Sequence, residues 1–123
     1  MADEFSISGS IVYDDSEDTE FTVSIEDVRR TISSKLFIRH KQNIGTTEEA
    51  LDLGGLTSLG WAFFVNRDAT NYCEIRSATG AANDIIRIDP LCCALFKFGS
   101  DVTAPFAIAN TAAVQLEYTI WAP

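Results

Sequence analysis

Apolar and polar residues alternate with a period of two in short runs along this chain, and turn formers separate the runs at intervals of about 8–12 residues. A period of two sends successive side chains to opposite faces of a strand, so the pattern calls for packed sheets rather than a helical bundle. The clearest run is the last, where Val114, Leu116, Tyr118 and Ile120 alternate with Gln115, Glu117, Thr119 and Trp121. Trp61, Phe63 and Val65 mark one face of another strand, with a turn at 66–70 and a return strand over 71–77. The small residues at 78–83 predict a turn, and 84–88 a strand carrying Ile86 and Ile88 on one face. Asp89-Pro90 closes that strand, because proline donates no ladder hydrogen bond. Residues 91–98 are nearly all apolar, which predicts burial on both faces or a central strand in an assembly, with Leu95 as well as Leu116 in the core. A short strand at 106–109 follows Pro105.

The first half is less regular. Phe5, Ile7, Gly9, Ile11 and Tyr13 alternate, as do Phe21, Val23 and Ile25, and five acids within residues 14–20 make a solvated loop between them. Residues 24–30 have the makings of one helical turn, with Ser24 as cap and Asp27 three residues later. A longer strand carries Leu36, Ile38, His40, Gln42 and Ile44, and a short one covers 50–53 before Gly54-Gly55. The expectation is an all-β fold of about eight to ten short antiparallel strands, a jelly-roll-like β-sandwich, with an immunoglobulin-like sandwich as the alternative. At 123 residues the chain reads as a single domain spanning 1–123, with 1–13 as a first strand or a docking arm.

Charge narrows the partners. Eighteen acids against nine bases give a formal charge of −9, which repels nucleic acid. No basic leader or long apolar run heads the sequence, so neither a signal peptide nor a membrane span is expected. Cys73, Cys92 and Cys93 are odd in number and two are adjacent, which fits free thiols in a reducing site of synthesis rather than a disulfide frame or a zinc site. Residues 1–27 hold nine acids and no base, whereas 29–41 hold Arg29, Arg30, Lys35, Arg39 and Lys41 and no acid. That division suits complementary patches between neighbouring copies, or pairing within one chain. On the docking reading Phe5, Ile7 and Ile11 supply apolar contact, and Arg29, Arg30, Arg39 and Lys41 set register.

Chemistry is sparse. His40 is the only histidine and falls on the apolar face of its strand, no serine sits in a nucleophile elbow, and no phosphate-cradling glycine loop is present. No catalytic residue, nucleotide or other cofactor, or metal ligand is assigned. Asp14-x-Ser16-x-Asp18-x-Glu20 begins like a calcium loop, but Thr19 and Ile25 replace the glycine and glutamate an EF-hand needs, which leaves a looser cation site or a hydrated loop. Trp61 and Trp121, with Tyr72 and Phe106, are candidates for stacking on a sugar or for packing at subunit contacts.

From Gly45-Thr46-Thr47-Glu48-Glu49-Ala50-Leu51-Asp52-Leu53-Gly54-Gly55, through Gly60-Trp61-Ala62-Phe63-Phe64-Val65-Asn66-Arg67-Asp68-Ala69-Thr70-Asn71-Tyr72-Cys73-Glu74-Ile75, to the ending at 109–118, the chain resembles small virion structural proteins of tailed bacteriophages. Those proteins typically carry a lysine-proline-glycine turn where this chain has Asp89-Pro90-Leu91. The resemblance implies a structural protein without an active site, made in the host cytoplasm and placed in the virion. Joined to the acidic, site-poor β pattern, it leads to a capsid decoration or cement protein on the outer head surface, a dimer or trimer that bridges capsomers of the major capsid protein. The alternative is a tail or fibre-associated module that holds host glycans through Trp61 and Trp121.

Overall fold

The computed structural model describes residues 4–14, 20–31 and 36–123, within two compact units, Met1–Ser33 and Ser34–Pro123. Residues 15–19, the centre of the acidic loop weighed above as a cation site, lie outside the described residues.

The first unit is an antiparallel hairpin of β1 (Glu4–Asp14) and β2 (Glu20–Thr31). Ile7 pairs with Val28 but Gly9 pairs with Ile25, so β2 carries one residue more than β1 at that point. The sequence explains this bulge. Apolar residues of β2 stand at Val23 and Ile25 and then at Val28, three further on, and one extra residue returns Val28 to the face of its predecessors. Phe5, Ile7 and Ile11 therefore share a face with Val23, Ile25 and Val28, while Ser6, Ser10, Thr22 and Ser24 take the other with Val12. The helical turn expected over 24–30 is absent, since those residues belong to β2. Val23, Ile25 and Val28 are stiff at χ1 and prefer an extended backbone, and cross-strand pairing outweighs a single cap.

The second unit contains β3 (Phe37–Ile44), β4 (Glu49–Ala50), β5 (Trp61–Asn66), β6 (Cys73–Arg76), β7 (Asp84–Ile88), β8 (Cys93–Lys97), β9 (Phe106–Ala109) and β10 (Val114–Trp121). They form two four-stranded antiparallel sheets, ordered β3-β10-β5-β8 and β4-β9-β6-β7. Inward side chains of the first, Ile44, Phe64, Leu116, Tyr118 and Ile120, join Cys73, Ile75, Ile88, Ala107 and Ala109 of the second in one core, a sandwich-like arrangement. An aromatic cluster fills one part of it: Phe64 stacks on Phe96 at 5.6 Å and meets Phe98 at 6.3 Å and Tyr118 at 5.5 Å between ring centroids. Gly60 is needed where the chain enters β5, because a Cβ there would lie 2.9 Å from the Trp121 carbonyl that its own N–H donates to.

Buried polar groups fix the connections. The Asn66 amide donates to the carbonyls of Asn71 and Ile88 at 2.8 and 3.1 Å, and its oxygen accepts from Asp68 N–H at 2.9 Å, which closes the 66–71 turn. Arg76 is almost buried, with Glu48 and Asp84 oxygens 2.6 Å from its guanidinium and Glu74 at 3.4 Å. Its hydrogen bond, with that of Gly80 N–H, holds the Glu48 carboxyl below its ordinary value.

The expectation of burial on both faces of residues 91–98, with Leu95 in the core, is corrected. Among the described residues β8 is an edge strand of its sheet, and Leu95 is 42 % exposed although Leu116 is fully buried. Pairing of Phe63 with Leu95 and Phe64 with Ala94 turns Ala94 and Phe96 inward, so Leu95 faces out with Lys97. Ahead of it, Cys92 N–H donates to Asp89 O at 3.1 Å, and Leu91 takes φ 58°. Leucine thus occupies the left-handed turn position that a glycine fills without strain, and its side chain is 69 % exposed.

Candidate functional site

The face of the β3-β10-β5-β8 sheet turned away from the core is unusually apolar. Register places Phe37 opposite Trp121, Arg39 opposite Thr119 and Lys41 opposite Glu117 on β3 and β10. On β10, β5 and β8 the same rows continue as Thr119, Phe63 and Leu95, and as Glu117, Val65 and Cys93. Alternation alone produces this surface, because β5 reads Trp61-Ala62-Phe63-Phe64-Val65 and is apolar in both phases. Phe37 is 59 % exposed, and Phe63 and Leu95 are exposed as well.

Across the middle runs a charged ridge. Arg67 Nε donates to Glu117 Oε2 at 3.0 Å, and Arg39 Nη2 lies 3.9 Å from Glu117 Oε1, so one carboxylate on β10 spans cations from the neighbouring strand β3 and from the end of β5. The Arg67 hydrogen bond, aided by the charges of Lys41 and Arg39, holds the Glu117 carboxyl below its ordinary value. A shallow cleft of about 350 Å³ opens over the ridge, lined by Phe37, Arg39, Phe63, Arg67, Glu117 and Trp121. Such a surface offers flat aromatic contact and an excess of cations, which suits a protein surface or a planar, hydroxylated or anionic ligand.

The residues singled out from sequence are divided by the fold. Phe5, Ile7, Ile11 and Arg29 belong to the hairpin, where Arg29 Nε lies 4.0 Å from Glu4 Oε1. Arg30 pairs with Phe5 through the backbone, and its side chain lies outside what is described. Arg39 and Lys41 stand on the outward sheet face with Trp61 and Trp121, both half-buried. Tyr72 and Phe106 are elsewhere: Tyr72 stacks under Arg87 at 3.6 Å, and Phe106 belongs to β9 in the other sheet. Phe37, Phe63, Arg67, Leu95 and Glu117 were not anticipated as a site. The signal was available in β5, whose outward phase has no polar residue until Arg67.

His40 lies on the inward side of the edge strand β3, with Nε2 3.5 Å from Asp52 Oδ2 and its ring edge-on to Tyr118 at 5.8 Å. The Tyr118 hydroxyl directs its single proton to two acceptors, Asp52 O at 2.7 Å and Gln42 Oε1 at 2.8 Å. Burial, and secondarily the Asp52 charge, pushes this phenol well above its usual value, so it serves as an anchor rather than a proton donor at neutral pH. These contacts give the imidazole a carboxylate and a phenol held by two hydrogen bonds. Among the described residues no group of three or more histidine, cysteine or acidic side chains is placed to hold a metal ion, and no helix is long and apolar enough to cross a membrane. No protein family, curated protein or solved structure matches the chain.

Proposed function

We propose that this chain is an assembly module that works by binding rather than catalysis, a capsid decoration or cement protein of the kind its sequence resembles. In this reading the second unit is a jelly roll. Counting from β3, its first, eighth, third and sixth strands make one sheet and its second, seventh, fourth and fifth the other, an order that supports two interleaved Greek keys. The observation that carries the function is the outward face of the β3-β10-β5-β8 sheet. Phe37, Phe63 and Leu95 are exposed beside Trp121 and a cationic ridge, where a solitary sandwich would present polar residues. A protein neighbour covering that face removes apolar area from water, and many weak copies on a lattice sum to a stabilised shell.

The test is addition of the purified full-length chain to phage heads assembled without it, followed by sedimentation and measurement of head stability to heat. Attachment in hundreds of copies and a higher disruption temperature support the reading; absence of attachment sinks it. The cleft itself favours one second reading, glycan binding, because Phe37, Phe63 and Trp121 surround Arg39, Arg67 and Glu117 as stacking groups surround hydrogen-bonding ones in a sugar site. Attachment to tails or fibres in a handful of copies, with glycan binding lost in Phe63→Ala, would favour that second reading.

A further inference from the structure

Two surfaces of this chain expose apolar side chains and match each other. The first is the hairpin, in which Ile11 is 60 % exposed and Val23 and Val28 are exposed on the same face, next to Phe5, Ile7 and Ile25. A two-stranded hairpin with one apolar face is marginal in water by itself and needs a surface to lie on. The second is the outward sheet face with Phe37, Phe63 and Leu95. Their charges are opposite in sign. Residues 1–33 carry nine acids and two bases, a formal charge of −7, whereas the sheet face sets Arg39, Lys41, Arg67 and Lys97 against Glu117.

We infer that the hairpin of one copy lies on the outward β3-β10-β5-β8 face of a second copy, and that two copies exchange hairpins reciprocally. The inference rests on the assembly reading above and names the neighbour that covers the face. Apolar contact comes from Ile11, Val23 and Val28 over Phe63, Leu95 and Phe37. The net negative charge of residues 1–33 and the ridge cations Arg39 and Arg67 speed the encounter. Size argues for reciprocity. A ribbon of two strands is about 10 Å wide, and crossing about 20 Å of sheet it buries roughly 600 Å² counting both partners, too little for a stable contact. Two such contacts in a closed pair reach about 1,200 Å², the lower bound for specific interfaces.

Complementation by mixing tests this with full-length protein. One variant, Phe63→Asp with Leu95→Asp, keeps its hairpin and spoils its face; the other, Ile11→Asp with Val23→Asp, does the reverse. All four positions are exposed, so the sandwich core is untouched, and circular dichroism checks each fold. In sedimentation velocity the wild type should form dimers, and each variant alone should dissociate roughly a hundredfold more readily or remain monomeric. An equimolar mixture restores one of the two contacts, so hetero-dimers should form more readily than either variant's own dimer but more weakly than the wild-type dimer, and should weaken further between low and high salt. A wild type that stays monomeric to about 100 μM overturns the exchange. So does either variant dimerising like wild type, or a mixture that associates no more readily than the separate variants when both are folded. Loading onto heads is measured separately. A monomer that still decorates heads sinks the exchange and leaves the assembly reading, and a dimer that never binds heads does the opposite.

Discussion

Phe63 and Phe64 are adjacent on β5 and point to opposite sides of the sheet, so truncating each in turn measures how the sandwich is layered. Phe64 is fully buried, with Phe96, Phe98 and Tyr118 around its ring, and the cavity left by Phe64→Ala cannot close without moving three aromatics. Buried phenylalanine truncations cost about 3–5 kcal/mol, transfer and cavity terms together. Phe63 is 37 % exposed and leaves no enclosed void, so Phe63→Ala loses only part of a transfer term, about 1–1.5 kcal/mol. At about 4–8 °C per kcal/mol for a domain of this size, the two variants should melt roughly 12–40 °C and 4–12 °C below wild type, with the Phe64→Ala loss about three times the other in the same protein. Calorimetry or urea titration at low micromolar concentration, where self-association contributes least, gives the comparison. Equal losses, or a larger loss for Phe63→Ala, would refute the assignment of the two faces.

Four other outcomes are expected. Leu91→Gly should raise stability by about 0.5–1 kcal/mol in urea titration, because removing the left-handed penalty outweighs the added freedom of glycine and little burial is lost. In the folded protein at pH 8, Cys92 and Cys93 should react quickly with a thiol reagent, while Cys73, buried and pushed up to about 12, reacts only on unfolding. Tyr118→Phe should cost about 1–2 kcal/mol, since the Asp52 carbonyl loses its buried donor; unchanged melting would show that the network contributes nothing. Glu48, Asp68 and Glu117 all have lowered carboxyl values in the folded chain, so the stability they add is complete above the ordinary carboxylate range near about 4 and drains as pH falls through the lowered values. Glu117→Gln should therefore flatten the acid limb of the stability curve, and an unaltered limb would remove its bridge to Arg67 from the account.

Much of the fold was legible because alternation is a local property. The strands carrying Phe63, Ile88 and Leu116 stand where their patterns put them. What failed were questions that depend on neighbours. The run around Leu95 is apolar in both phases, and only the pairing of β8 with β5 decides that Ala94 turns inward and that no strand lies beyond. The Ser24 cap pattern was a sound local signal overruled by the β1 partner across the hairpin. The candidate face was half legible: Trp61, Trp121, Arg39 and Lys41 were picked for separate reasons, and register unites them with Phe37, Phe63 and Glu117. Charge patches read along the chain linked Arg29 with Arg39, whereas the fold assigns them to different units.

The central claim, that the outward β3-β10-β5-β8 face is a docking surface within a decorated shell, is tested most directly by an electron-microscopy reconstruction of heads loaded with the full-length protein. The account predicts density at hundreds of lattice sites, with Phe63, Leu95 and Phe37 buried against protein. Empty lattice sites at saturating protein, or bound copies with that face turned to solvent, would contradict it.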